Sequence, residues 1–262
     1  MHVNISVVSH GHFELIQQLG CIDSLAKKDW IDICIVDNVG EKGFKSWCSE
    51  RNIFYIGNEV RLGFGENNNL AYKKFIEEKT INLQKDYFLV LNPDVVIDLV
   101  QLQNLLDTVI SNSIEFSCIN LYKDKEHDTY DNSVRKYPTL CDFLSSFILS
   151  KNKTIIDKST IIEHREVDWA SGSFLLFDVA LYSALNGFDE NYFMYCEDID
   201  ICLRANYMHN CKLMYLPEIH ALHLAAHENR KLFSKHFIWH VKSMFRYLTI
   251  RNRLNIKKKL EG

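Results

Sequence analysis

Two rhythms of apolar and polar positions take turns along this chain. Short runs dominated by Val, Ile, Leu and Phe predict strands: Val3-Asn4-Ile5-Ser6-Val7-Val8, Ile31-Asp32-Ile33-Cys34-Ile35-Val36, Asn52-Ile53-Phe54-Tyr55-Ile56 and Tyr87-Phe88-Leu89-Val90-Leu91. The last is apolar throughout, as a strand buried on both faces of a parallel sheet should be. Between these runs apolar residues recur every three or four positions, which predicts helices over 12–26, 44–48, 67–78 and 99–110, with Asp98 as the cap of the last. A β-α-β-α succession implies an α/β fold: a mostly parallel, Rossmann-like sheet flanked by helices, with right-handed crossovers. Ligands of such sheets sit beyond the carboxyl ends of the strands.

From about Asn120 to Val167 the rhythm is lost, and a long polar excursion with one short helix is expected. Order returns with Trp169-Ala170-Ser171-Gly172-Ser173, a strand over 174–177, a helix over 179–185, an acidic run, a helix reaching about His209 and a strand over 213–216. The end of the chain differs in kind. Residues 229–260 contain four arginines, six lysines and no acidic residue, interleaved with aromatics at helical spacing. They predict a basic amphipathic helix following a main domain of residues 1–228.

Composition narrows the class. With 262 residues, 47% of them apolar, one large domain with a small appendage is expected. A net charge of -4 argues against nonspecific nucleic-acid binding. The eight cysteines form no C-x-x-C pair and several sit in apolar runs, which suits a reducing compartment. No secretory leader is expected at Met1. No apolar run approaches the roughly 18 residues of a spanning helix, so the protein is expected to be soluble or peripheral.

The chemistry concentrates in Gly187-Phe188-Asp189-Glu190-Asn191-Tyr192-Phe193-Met194-Tyr195-Cys196-Glu197-Asp198-Ile199-Asp200, ending in Arg204. Unpaired charges are costly to bury, so this run is a solvated cap or a site. Two other polar segments each close an apolar strand: Val36-Asp37-Asn38 and Leu91-Asn92-Pro93-Asp94. Together with Ser6-Val7-Val8-Ser9, Leu62-Gly63-Phe64-Gly65-Glu66-Asn67-Asn68-Asn69 and Trp169-Ala170-Ser171-Gly172, they occur in the order found in family 2 inverting glycosyltransferases of the GT-A fold. The chain resembles, within them, bacterial rhamnosyltransferases of O-antigen and cell-surface polysaccharide assembly. The match spans about residues 1–225; each motif is weak alone and the ordered set is specific.

That resemblance implies a nucleotide-binding half (1–119) and an acceptor half (120–228), a dTDP-sugar donor and a divalent metal, Mn²⁺ or Mg²⁺. It implies donor contacts from Ser9, Asp37, Gly63, Phe64, Asn68 and Asn92, with the Asp37 carboxylate accepting the N3–H of a pyrimidine; the alternative for Asp37 is a strand-end turn. Asp94 and His223 would hold the metal, since a hard cation bridges carboxylate and diphosphate oxygens; His220 and His227 are nearby alternatives. Asp198 would be the general base that inverting transfer needs. Trp169, Ser171, Gly172 and Glu197 would meet the acceptor, and Asp200 with Arg204 would form an i,i+4 pair. Lys235, Phe237, Trp239, Lys242, Phe245 and Arg246 of the tail would meet an anionic membrane surface; the alternative is a solvated helix that packs its aromatics onto the domain. The protein would then be peripheral on the cytoplasmic face of the inner membrane.

The expected reaction is transfer of L-rhamnose from dTDP-rhamnose to a sugar hydroxyl, GlcNAc foremost, of a polyprenyl-diphosphate-linked acceptor. Another UDP- or dTDP-sugar is the alternative within the class. A membrane-docked nucleotide-binding scaffold is the alternative outside it. A homodimer is left open. Adjacent Glu197 and Asp198 cannot flank a glycosidic bond, which argues against a hydrolase.

Overall fold

The computed structural model describes residues 1–78, 82, 85–149, 152–224 and 235–261. Its first half follows the predicted alternation: β1 (Val3–Ser9), α1 (Phe13–Leu19), α2 (Cys21–Leu25), β2 (Ile31–Asp37), α3 (Phe44–Ser49), β3 (Phe54–Gly57), α4 (Phe64–Glu78) and β4 (Tyr87–Leu91). The helix expected over 12–26 is two helices, because Gly20 adopts a left-handed conformation that ends the first. Next come β5 (Val95–Val96) and α5 (Leu99–Ser111). Asp98 caps α5 as expected, accepting from the Gln101 N–H at 2.8 Å. The helix buries Leu102, Leu105, Leu106 and Val109, one apolar stripe, each contributing about 1.5–3 kcal/mol.

The second half holds β6 (Phe116–Tyr122), β7 (Val134–Arg135), α6 (Leu140–Leu149), β8 (Arg165–Val167), β9 (Trp169–Ala170), β10 (Phe174–Asp178), α7 (Val179–Ala184), α8 (Glu197–His209), β11 (Leu213–His223) and α9 (Lys235–Glu261). The main sheet runs β3-β2-β1-β4-β10-β6-β11-β5, with β8 also on β11, and β7 pairs with β9 apart from it. β1, β2, β3 and β4 are mutually parallel; β10 opposes β4 and β6, which returns β6 and β11 to the common direction. Apolar residues on its two faces form two separate cores.

Two departures from the sequence reading matter for the site. The excursion from Asn120 to Val167 is not without order: β6 continues through Asn120 to Tyr122, and Ser117 and Asn120 are buried polar residues that obscured it. β11 does not stop at 216. It passes Pro217 through an irregularity between Leu216 and His220 and continues to His223. That extension pairs His223 with Val95, one residue beyond Asp94. Boundary residues 225–234, including His227 and the expected start of the tail at 229, lie outside the described residues.

Candidate active site

The acidic run folds as a loop that turns sharply into α8. Tyr195 and Cys196 both have left-handed backbone (φ 71° and 65°), a conformation unfavourable for side chains of this kind. The strain sets the direction in which Glu197 and Asp198 leave the loop at the first turn of α8, where helix polarity favours carboxylates. Asp198 Oδ1 accepts from the Ile199 N–H at 2.9 Å, and Oδ2 from the Gly172 N–H at 3.3 Å. Gly172 is a close-approach position: a Cβ there would lie 2.7 Å from Phe64 Cε1. Asp200, two residues on, points into the core and meets Arg204 Nε at 2.6 Å, the expected i,i+4 pair.

Glu197 and Asp198 border a cavity of about 230 Å³ that Arg135 of β7, Phe143 of α6, Trp169 and Ser171 also line. His240 of α9 closes one side, stacked at 4.6 Å on Tyr195. The sequence grouped Trp169, Ser171, Glu197 and Asp198, and they do meet here. It missed Arg135, Phe143 and His240, which come from the excursion and the tail. Trp169 is mostly packed, donating from Nε1 to the Lys136 carbonyl at 2.9 Å with the Arg135 guanidinium above its ring.

The two adjacent carboxyls divide the charge. Burial and the neighbouring Asp198 charge push Glu197 well above the ordinary carboxylate range. Burial also raises Asp198, but the Ile199 and Gly172 amides and the Arg135 charge oppose it. The proton therefore favours Glu197, leaving Asp198 as the carboxylate able to accept another. One oxygen of Glu197, Oε2, is buried without a partner beside the cavity, as a group reserved for a ligand would be.

The second cluster lies at the strand ends. His223 Nε2 is 3.5 Å from Asp94 Oδ1. Asn92 follows β4 and reaches Ser173 Oγ at 3.5 Å. Among the described residues no group of three or more His, Cys, Asp or Glu forms a ready-made metal cage. The donor set nevertheless fits a cation shared with a ligand: one carboxylate oxygen and one imidazole nitrogen, with diphosphate and water oxygens to complete the shell. Burial works against the charge on both groups, yet each supports the other: Asp94 lies below its ordinary range, and His223, flanked by Asp131 and Asp94, is raised to about 9. His220 faces elsewhere, its ring 4.4 Å from that of His127.

Several expected donor contacts have internal partners instead. Asp37 is buried, with Oδ1 accepting from the Val39 and Gly40 amides (3.1 and 2.9 Å) and Oδ2 from the Glu41 amide and Tyr55 hydroxyl (2.6 and 2.9 Å). Four bonds fill a carboxylate's acceptor sites, so in this arrangement Asp37 builds the turn after β2 rather than presenting an oxygen to a base. Asn68 is equally internal, accepting from Ser6 Oγ at 2.7 Å and donating to the Phe64 carbonyl at 2.9 Å. Gly63 allows the acidic loop to approach, since a Cβ there would sit 2.6 Å from the Phe193 carbonyl oxygen. Phe64 packs edge-on to Phe188. Ser9 donates to Glu41 at 2.8 Å at the carboxyl end of β1. None of these five residues lines the cavity beside Asp198.

The tail is one helix, but its predicted lipid face is rotated. Phe237 packs on Phe147, Trp239 lies 4.6 Å from Phe193, and Arg246 pairs with Asp189 at 2.8 Å. These three turn toward the domain, because α6 offers Phe237 an aromatic partner and the acidic loop offers Trp239 an aromatic and Arg246 an anionic one. Lys242 and Phe245 face outward, in line with Ile238 and Ile256, and the three apolar residues are each more than half exposed. The Lys235 side chain lies outside the described residues. No helix among the described residues is long and apolar enough to cross a membrane.

Sheet, strand-end pair and cavity-facing carboxylate together define a glycosyltransferase of the GT-A fold. Over 96% of its length the chain superposes on mannosyltransferase PcManGT of Pyrobaculum calidifontis, solved with GDP-Man and Mn²⁺, at TM-score 0.59 and 13% identity, covering 64% of that chain. GalNAc-T7, solved with UDP, GalNAc and Mn²⁺, matches 95% at TM-score 0.65 and 10% identity, with 48% of it covered. The chain thus spans about half to two thirds of these solved proteins. No family model matches it. The chain belongs to the family of the rhamnosyltransferase WbbL of Escherichia coli K12, to which it is 42% identical over 255 residues, 97% of its length and 95% of the relative's. It is 27% identical over 244 residues, 87% of its length, to an N-acetylglucosaminyl-diphospho-decaprenol L-rhamnosyltransferase of Mycobacterium tuberculosis, covering 78% of it.

Proposed function

We propose that the protein transfers L-rhamnose from dTDP-rhamnose, with inversion, to a hydroxyl of GlcNAc carried on a polyprenyl diphosphate. The observation that supports this best is Asp198 beside a cavity large enough for a sugar ring, in a member of a rhamnosyltransferase family. The acceptor oxygen attacks the anomeric carbon as the bond from that carbon to the diphosphate breaks. Asp198 takes the hydroxyl proton, and the electron pair of the broken bond leaves with dTDP. Trp169 and Phe143 would supply apolar lining to the space for the acceptor sugar, and Glu197 Oε2 a hydrogen-bond partner. Asp94 and His223 would hold a divalent cation, which supplies neutralising charge to the departing diphosphate. A GlcNAc-diphosphate-lipid acceptor should gain one deoxyhexose from dTDP-rhamnose. Product from a UDP-sugar instead would transfer the reading to another donor, and nucleotide binding without product from any donor would favour the scaffold.

The lipid-linked acceptor gives the outward face of α9 a role. Ile238, Phe245 and Ile256, spaced by 7 and 11 residues, fall on one line of the helix, flanked by exposed Lys242 and Arg253. This line would rest on anionic lipid, each basic residue near the surface contributing about 1 kcal/mol. Cosedimentation with phosphatidylglycerol vesicles should exceed that with neutral vesicles. The pair Ile238→Glu and Phe245→Glu should abolish the difference; unchanged binding would remove this face from the reading.

A further inference from the structure

His223 has a second neighbour that the expected metal pair leaves unexplained. On its other side, Nδ1 stands 3.5 Å from Asp131 Oδ2, at the outer limit of a hydrogen bond. Both residues are buried, with only 8% of His223 and 9% of Asp131 exposed. Nδ1 is a buried nitrogen with no other partner, an arrangement costly enough to require an occupant. Asp131 itself is firmly held. Its amide donates to the Leu121 carbonyl at 2.9 Å, and Tyr130 beside it bridges to Tyr122 at the end of β6. Lys158, buried over the Tyr130 ring, donates to the same Leu121 carbonyl at 2.8 Å and ties the segment on either side of Asp131 to β6.

We infer that Asp131 is a positioning residue for His223: it accepts the Nδ1–H, and so fixes the ring with a bare Nε2 directed at the cation shared with Asp94. An imidazole ligates through one nitrogen only if the proton resides on the other, and a carboxylate behind that second nitrogen decides which. The strand pairing already aims Nε2 toward Asp94, so a small closure of the 3.5 Å gap completes the relay. The sequence offered no sign of this, since Asp131 lies in the stretch where the rhythm is lost.

The inference rests on the proposed metal role of Asp94 and His223, and the test separates the two. Mn²⁺ affinity in the presence of dTDP, read by Mn²⁺ electron paramagnetic resonance, should fall about 10–100-fold in Asp131→Asn. Binding of dTDP without metal should not change. Unchanged Mn²⁺ affinity in Asp131→Asn, with affinity lost in His223→Ala, would overturn the positioning role alone. Unchanged affinity in His223→Ala would overturn the metal role beneath it. A loss in Asp131→Asn as complete as in Asp94→Asn would make Asp131 a ligand and likewise overturn the inference. Should Asp131→Asn fail to fold, the wild-type protein still decides. With Mg²⁺ and dTDP bound, nitrogen-15 spectra of His223 should show the Nδ1–H tautomer, and the Nε2–H tautomer would refute the proposal.

Discussion

Asp198→Asn is expected to lower kcat by about 10²–10⁴-fold, the range associated with losing a positioned proton acceptor. The substitution is nearly isosteric. Its Oδ1 can still accept from the Ile199 amide at the start of α8, so folding and donor binding should persist. Rate is lost because an amide cannot take the acceptor's proton. The pH profile supplies an independent check. Asp198 must be ionised to act, and burial raises it above the ordinary carboxylate value of about 3.9. As pH falls the base is therefore protonated sooner, and the acidic limb of kcat should lie above that value and vanish in the residual activity of the variant. Wild-type kcat in Asp198→Asn would move the base elsewhere.

Arg204→Met is expected to destabilise the fold by about 3–5 kcal/mol without touching the cavity, measured by urea denaturation. Asp200 is fully buried, and among the described residues Arg204 is the cation paired with it, at 2.6 Å. The same guanidinium donates to the Leu185 carbonyl at 2.7 Å and the Gly187 carbonyl at 2.9 Å, tying α8 to the turn that begins the acidic loop. Methionine fills similar volume but leaves two carbonyls without this donor and a buried carboxylate with only the Tyr192 hydroxyl, at 3.3 Å, in place of its cation. Burial already raises Asp200 and the arginine counteracts it, so the variant should protonate that carboxyl instead. Adding Asp200→Asn should recover part of the loss. Stability within about 0.5 kcal/mol of wild type would show that the pair is dispensable to the fold.

The parts of the molecule legible in the sequence are those where local pattern and tertiary environment agree. β4 was readable because burial on both faces demands an unbroken apolar run. The Asp98 cap and the Asp200–Arg204 pair were readable because both are short-range rules of a helix. β6 was not, because Ser117 and Asn120 interrupt its apolar run inside the core. The full length of β11 was hidden by Pro217, which ordinarily ends a strand. Asp37 forms the strand-end turn that is its alternative reading, with amide donors two to four residues on. The Ser6 partner of Asn68 and the acidic-loop neighbour of Gly63, in contrast, are distant in sequence and left no local sign. The face of α9 could not be read either. Helical spacing lists which residues share a side, but the aromatic and anionic partners on α6 and the acidic loop decide which side turns inward.

The last helix gives the protein an unusual lack of modularity. His240 lies against Tyr195, and Ser243 donates to the Met194 carbonyl at 2.9 Å, so the strained turn that aims the two carboxyls is braced by a segment near the chain's end. In a separable anchor, trimming the tail would yield a freely diffusing catalyst. Here the same cut would release the brace on residues 194–196, so any shortened version engineered for solubility would have to rebuild that support from another surface.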